Sequence, residues 1–272
     1  MSPEKLLAIA IESAKKAGIE VAKHYKHGDY TAEIKADNSP VTSADIAAND
    51  VLMDQLKILT PDIPVISEEV GALPLAERNK WSRYWLLDPI DGTGEFIIGS
   101  GDFAVNIALV ENGWPSIGVI HAPDHQLTYY AQNNLGAYKE NNIASHRIHV
   151  AEYDGERRIK VAISRRQDIN LMGQYLSDDF SYDHIALGSC SLKNCLIAEG
   201  GADCYLRVGP TGEWDTGASH CILEQAGGSI IDSEFNPLTY NQRTTLMQPD
   251  FLSLGNKAIP WQHAIKPHRA VR

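Results

Sequence analysis

Apolar residues recur at helical spacing from the start of the chain. Leu6, Leu7, Ala10, Ala14, Ala17, Val21 and Tyr25 form one stripe, the period of an amphipathic helix. Ser2 and Pro3 stand before it as N-cap and first-turn proline. After the polar stretch "KADNSP", Thr42 is read as a second N-cap, with Asp45 at the third helical position. Ile46, Met53 and Leu56 are expected to line the inner face of this helix, which stops before Pro61.

The period then shortens. "PVIS" (64–67) and "YWLLD" (84–88) read as buried strands. In "FAVNIALVENGWPSIGVIHA" two apolar runs flank Asn112-Gly113, the strongest short signal for a hairpin. "LTYYA" and "GAYKE" continue the meander. After about residue 157 strands and helices alternate: "IKVAIS" (159–164) a strand, "SLKNCLIAEG" (191–200) a helix, "ADCYLRV" a strand, "DTGASHCILEQAGG" (215–228) a helix, "SIID" a strand. The pattern predicts an N-terminal α+β half over 1–157, a C-terminal α/β half over 158–272, and a site between them. No internal repeat or low-complexity segment is visible.

Composition narrows the partners. The 272 residues are 43% hydrophobic with a net charge of −11, which suits a soluble enzyme-sized chain. No basic stripe exists to neutralise a nucleic-acid backbone. No apolar run reaches the ~20 residues of a membrane span, and the N-terminus lacks a signal-peptide core. The four cysteines, 190, 195, 204 and 221, contain no C-x-x-C pair and read as free thiols of a reducing compartment. The expected location is the cytoplasm. The short basic tail "PHRAVR" leaves peripheral contact with the inner membrane open, without insertion.

Acids stand where apolar runs end. Glu68-Glu69 follow "PVIS", Asp88 and Asp91 follow "YWLL", Asp215 opens a helix, and Asp45 lies in the first turn of another. Taken singly, each is accounted for as a cap or a solvated turn, and Asp45 and Asp215 complement helix dipoles. The pair in "DPIDGT" resists that account. A proline-stiffened D-P-I-D turn would hold two carboxylates together, at a cost unless a proton or a cation lies between them. Mg²⁺ takes such oxygen ligands and keeps sites for water and phosphate oxygens. Gly92 and Thr93 follow, and amides in such a turn can approach a phosphate. The set points to metal-assisted phosphoryl transfer.

Three motifs in this order, "SEE" (67–69), "DPIDGT" (88–93) and "WDTGASHCILEQAGG" (214–228), resemble those of the lithium-sensitive, Mg²⁺-dependent phosphatases of the inositol monophosphatase superfamily. "KADNSPVTSADIAAN" (35–49), "GEFI" (94–97), "SLKNCLIAEG" and "YLRVGPTGEWDT" (205–216) are most similar to its 3′(2′),5′-bisphosphate nucleotidases of the CysQ type. The resemblance spans nearly the whole chain. It implies a layered αβαβα sandwich of the α/β (α+β) class. It also implies a small phosphorylated nucleotide substrate: adenosine 3′,5′-bisphosphate would be converted to AMP and phosphate, a step of sulfur metabolism.

Carried over by position, the resemblance makes Glu68, Asp88, Asp91, Asp215 and the Ile90 carbonyl ligands of two or three Mg²⁺ ions. Most of these lie in the N-terminal half. Asp45, Glu68 and Thr93 would serve a metal-activated water. Glu68, Ile90, Asp91, Gly92, Thr93, Ser191, Lys193, Arg207 and Asp215 would surround the substrate. The pattern is broken at Gly94, where the nucleotidases have lysine, at Cys190, where they have serine, and at "SRRQ" (164–167), which lacks their histidine. Arg165 or Arg166 is a candidate to supply the missing charge. A phosphatase of inositol monophosphate or another sugar phosphate is the second reading. A non-catalytic phosphonucleotide-binding regulator is the third, disfavoured because a full acid set would repel a phosphate that is only to be bound.

Overall fold

A computed structural model describes residues 1–35, 39–71, 73–165, 167 and 169–266. Arg166, the tail "PHRAVR" and the middle of "KADNSP" lie outside the described residues. In chain order the elements are α1 (Pro3–His27), β1 (Ala32–Ile34), β2 (Pro40–Thr42), α2 (Ser43–Leu59), β3 (Val65–Ser67), α3 (Leu75–Arg78), β4 (Arg83–Asp91), α4 (Thr93–Ile97), β5 (Ala104–Glu111), β6 (Trp114–Ala122), β7 (Leu127–Gln132), β8 (Gly136–Glu140), β9 (Ser145–Ile148), β10 (Ile159–Ile163), α5 (Ile169–Gly173), β11 (Tyr182–Ala186), α6 (Cys190–Ala198), β12 (Cys204–Arg207), α7 (Glu213–Gln225), β13 (Ser229–Asp232), β14 (Phe251–Leu254) and α8 (Trp261–Ala264).

Both N-terminal helices begin where their caps place them. The Ser2 side chain accepts from the Lys5 amide, and α1 runs until Gly28 closes it in the left-handed region. Thr42 caps α2 in a reciprocal capping box with Asp45. The inner face of α2 matches the predicted one at Leu56 and at Met53, which packs half-buried against the core, but not at Ile46. Leu56 is buried, but Ile46 is 45% exposed. The buried side instead carries Ala44, Asp45, Ala48, Asn49, Leu52 and Leu56. Small alanines let α2 lie close to α1, and the rotation turns Asp45 and Asn49 inward, where the Asn49 carbonyl oxygen accepts from Ser67 at 2.7 Å.

Seven strands form a sheet in the order β3-β4-β5-β6-β7-β8-β9. It is antiparallel except for the parallel β3–β4 pair. The Asn112-Gly113 turn joins β5 to β6 with positive φ at both residues, 52° and 81°, as a two-residue hairpin of the primed type requires. Five strands form the second sheet, β11-β10-β12-β14-β13. β10 is parallel to β11 and β12, and β14 runs antiparallel to both its neighbours.

Three apolar clusters separate five layers. Leu6, Ala14, Ala48 and Leu52 meet Trp85, Val105 and Val119, so α1 and α2 cover one face of the seven-stranded sheet. Its other face packs with Ala218, Ile222 and Leu223 of α7 and Leu192 and Ile197 of α6 against Ala162 and Tyr205 of the second sheet. Met172, Trp261 and Ala264 cover that sheet's far side. The mixed α/β layered sandwich implied by the motifs is the fold observed. Among the described residues no helix is long and apolar enough to cross a membrane, and all four cysteines are free.

Candidate active site

"DPID" is the end of β4, not a turn. Opposite β5, Asp88 pairs with Asn106 and Asp91 with Ala104. Three steps on one strand therefore match two on the other, and the extra residue is a β-bulge. In an unbroken strand residues three apart point to opposite faces. The bulge cancels that parity and brings both carboxylates to one side. Pro89, which cannot donate to the ladder, sits within it. Gly92 then turns the chain with φ 94° into α4. A Cβ there would lie 2.9 Å from the Asp102 carbonyl oxygen, so only glycine fits.

Carboxylate oxygens of Asp88, Asp91 and Asp215 lie within 4.8 Å of one another. Each is held by different donors. Asp88 is fully buried, and its Oδ1 accepts from the Ile90 amide at 3.0 Å. Its Oδ2 is buried with no hydrogen-bond partner among the described residues. Asp91 is addressed by the N-terminus of α6: the Cys190 amide at 3.2 Å, the Ser191 amide at 2.7 Å, and the hydroxyls of Ser189 and Ser191. Asp215 stands at the third position of α7, and its Oδ2 accepts from the Gly212 amide at 2.7 Å.

A second acidic group borders the first. Lys35 Nζ lies 2.9 Å from Glu68 and 2.8 Å from Glu69. Asp45 Oδ2 accepts from the Thr42 amide at 2.7 Å, while its Oδ1 lies 3.1 Å from the Thr93 hydroxyl. That hydroxyl is also 3.1 Å from the Ile90 carbonyl oxygen.

Burial raises the proton affinity of Asp88, Asp215, Glu68 and Asp45. Asp88 is pushed well above the usual carboxylate range, by burial first and then by Glu68, Asp91, Asp215 and Asp45. Asp215 is raised by burial and by Asp91 and Glu68. Glu68 is raised by burial against the opposing pull of Lys35, and Asp45 by burial against its Thr42 hydrogen bonds. Like charges this close and this dry require protons or a cation. The unpartnered Asp88 Oδ2 and the all-oxygen donor set fit a hard divalent metal.

Other candidates have different surroundings. Ser191 is buried beside Asp91. Lys193 is not on a solvated helix face: it is 2% exposed, and its ammonium donates to the Ser189 carbonyl at 2.6 Å and the Leu187 carbonyl at 3.3 Å. Burial lowers its pKa. Arg207 donates to the Thr211 hydroxyl at 2.7 Å and the Pro210 carbonyl at 3.0 Å. Arg165 does not stand free to replace a missing charge, because its guanidinium pairs with Asp102. At Gly94 no atom of the described residues lies within 4 Å of where a Cβ would sit.

Residues 2–263 match the model of the inositol monophosphatase family. The chain belongs to that family. Among curated members it is 39% identical over 256 residues to the 3′(2′),5′-bisphosphate nucleotidase CysQ of Aggregatibacter actinomycetemcomitans, covering 94% of this chain and 95% of the relative. It is 45% identical over 217 residues to the protein of that name from Escherichia coli K12, covering 80% and 86%. The crystal structure of CysQ from Bacteroides thetaiotaomicron superposes with a TM-score of 0.81 at 36% identity, over 93% of this chain and 98% of that one. A Thermotoga maritima IMPase superposes at 0.76 with 25% identity, covering 92% of each. The inositol monophosphatase family is metal-dependent, and the acidic triad of this member fits that dependence.

Proposed function

We propose that this protein is a Mg²⁺-dependent 3′(2′),5′-bisphosphate nucleotidase that converts adenosine 3′,5′-bisphosphate to AMP and inorganic phosphate. The observation that carries the reading is the convergence of carboxylate oxygens of Asp88, Asp91 and Asp215 within 4.8 Å of one another, beside a buried Asp88 oxygen with no partner among the described residues. The CysQ relatives supply the substrate class.

Glu68, Asp88, Asp91, Asp215 and the Ile90 carbonyl would hold two or three Mg²⁺ ions. Bound Mg²⁺ would supply charge neutralisation for the phosphate and leaving oxygen and lower the pKa of a water. The Thr93 hydroxyl, held between Asp45 and the Ile90 carbonyl, would orient an attacking water. Asp45 keeps a carboxylate oxygen on Thr93 and accepts a proton through it. The backbone at Gly92 and Thr93 admits the scissile phosphate, with Ser191, Lys193 and Arg207 on the side of the C-terminal half. Lys193 contributes chiefly by bracing the 187–189 loop through two carbonyls. In this reading 1–157 supplies most ligands, and 158–272 supplies Asp215 and the nucleotide contacts. The substrate is small and soluble, and the reading places the enzyme in the cytoplasm, acting in sulfur metabolism.

Hydrolysis of inositol monophosphate or another sugar phosphate is kept as a second reading by one feature, the open space at Gly94. Phosphate release from adenosine 3′,5′-bisphosphate, its sulfated form, inositol 1-phosphate and fructose 1,6-bisphosphate, with and without Mg²⁺, decides between them. The expected result is Mg²⁺-dependent release, fastest from the bisphosphate nucleotide. Preference for inositol 1-phosphate overturns the assignment, and tight nucleotide binding without turnover makes the protein a regulator.

A further inference from the structure

Asp102 is 2% exposed on the loop between α4 and β5. Its carboxylate joins three distant parts of the chain. Arg165, just after β10, donates through Nε at 2.9 Å and again through Nη2. The Gly188 amide, in the loop before α6, donates at 2.9 Å. His125 Nε2, from the β6–β7 turn, lies 3.3 Å away. Burial alone would raise the Asp102 pKa, but the Gly188 amide and Arg165 outweigh it and hold the carboxyl below its usual range. This is a fixed anion joining the two sheets' halves.

Gly188 immediately precedes Ser189, whose φ of 55° and ψ of 139° lie where residues with side chains rarely settle. Such a conformation persists only when its surroundings over-determine it. Here they do so from two sides. Asp102 holds the Gly188 amide, and Lys193 holds the carbonyls of Leu187 and Ser189. Packing leaves no slack: a Cβ at Gly188 would lie 2.6 Å from Asp102 Cβ and 2.6 Å from Glu95 Cγ. The result is that Ser189 Oγ and the Cys190 and Ser191 amides all aim at Asp91. Those donors fix the rotation of the Asp91 carboxylate and thereby which of its lone pairs a cation can use.

We propose that Asp102 and Arg165 are a positioning pair for Asp91: by holding Gly188 they keep Ser189 in its left-handed conformation and set the Asp91 carboxylate for metal. The inference rests on the reading of Asp91 as a metal ligand. Partners outside the ligand set commonly govern about 10- to 100-fold in metal affinity, and a pair acting through one loop belongs at the lower end.

The test is calorimetric titration of Mg²⁺ into the full-length protein, with thermal melts alongside. Asp102→Ala and Arg165→Ala should each weaken Mg²⁺ about tenfold, with Arg165→Ala melting near wild type. The double variant should be no weaker than either single, and Asp102→Glu should recover part of the loss. Arg165 is 42% exposed at its side chain, so its removal spares the core and answers the question even where Asp102→Ala does not fold. Wild-type Mg²⁺ affinity in folded Arg165→Ala, or additive losses in the double variant, overturns the pair. Wild-type protein that binds no Mg²⁺ overturns both the pair and the metal site. Wild type that binds Mg²⁺ but hydrolyses none of the four phosphates sinks the nucleotidase reading, while weakened Mg²⁺ binding in the variants still supports the pair.

Discussion

The Thr93 hydroxyl stands 3.1 Å from Asp45 Oδ1, across 48 residues of sequence and between the first turns of α2 and α4. Asp45 uses its other oxygen to cap α2, so one carboxylate both fixes a helix start and receives the hydroxyl. Thr93→Val keeps the shape and removes only the hydroxyl. It should lower kcat by about 10²- to 10⁴-fold, the range of a lost proton-transfer group, while thermal melts stay near wild type. Retained kcat in steady-state assays at saturating Mg²⁺ would remove Thr93 from the mechanism.

The acid cluster should destabilise the metal-free fold. Asp88 and Asp215 have folded pKa values raised by burial and by their neighbours. The folded state therefore holds protons that the unfolded chain releases. Stability is greatest below the ordinary carboxylate pKa and falls as pH rises toward the raised folded values. In EDTA, the wild-type melting temperature should fall as pH increases from about 4, and Mg²⁺ should restore it. Asp88→Asn should raise the melting temperature in EDTA at neutral pH by about 2–4 °C per kcal/mol of relieved repulsion, yet lose Mg²⁺-dependent stabilisation and turnover. Identical pH profiles for variant and wild type would remove the cluster as their source.

Lys35 occupies the side of the site that the metal reading assigns to Glu68. Its ammonium bridges Glu68 and Glu69. Its own pKa is raised: burial opposes the charge, and the two glutamates outweigh burial. Lys35→Met should release Glu68 and tighten Mg²⁺ binding about fivefold, the scale of about 1 kcal/mol for a partly exposed ion pair. Weaker Mg²⁺ binding in calorimetry would mean instead that Lys35 holds Glu68 in its ligating position.

What could be read from the sequence was what local chemistry decides. Ser2, Thr42 and Asn112-Gly113 specify helix starts and a hairpin through groups within four residues, and the structure places each as read. The acids of "DPIDGT" were visible as an anomaly of charge. The bulge that aligns them was not, because one extra residue in β4 is defined only against β5. α4 has five residues, too few for a helical period to show. β11 is an edge strand whose residues are mostly exposed, so it carries no apolar run. Ile46 misled because apolar residues also occur on surfaces, and α2 turned its alanines and Asp45 inward instead. Asp102 drew no notice because its partners, Arg165 and Gly188, stand 63 and 86 residues away.

Gly94 separates chemistry from substrate choice. It lies in α4, directly after Thr93, and does not occupy the positive-φ region. A Cβ there would meet nothing within 4 Å among the described residues, so it would sit without strain or collision against them. Nothing in the fold therefore demands glycine, and its effect is confined to what it leaves out: a cation beside the proposed phosphate position. Gly94→Lys should fold as wild type and lower KM for adenosine 3′,5′-bisphosphate by about tenfold, the scale of one hydrogen bond to a charged group, with a smaller change for inositol 1-phosphate, which bears a single phosphate. The gain should shrink with added salt, because the new contact is exposed. Equal gains on both substrates would assign the lysine to the scissile phosphate. No gain on either would show that the open space at Gly94 faces away from bound substrate.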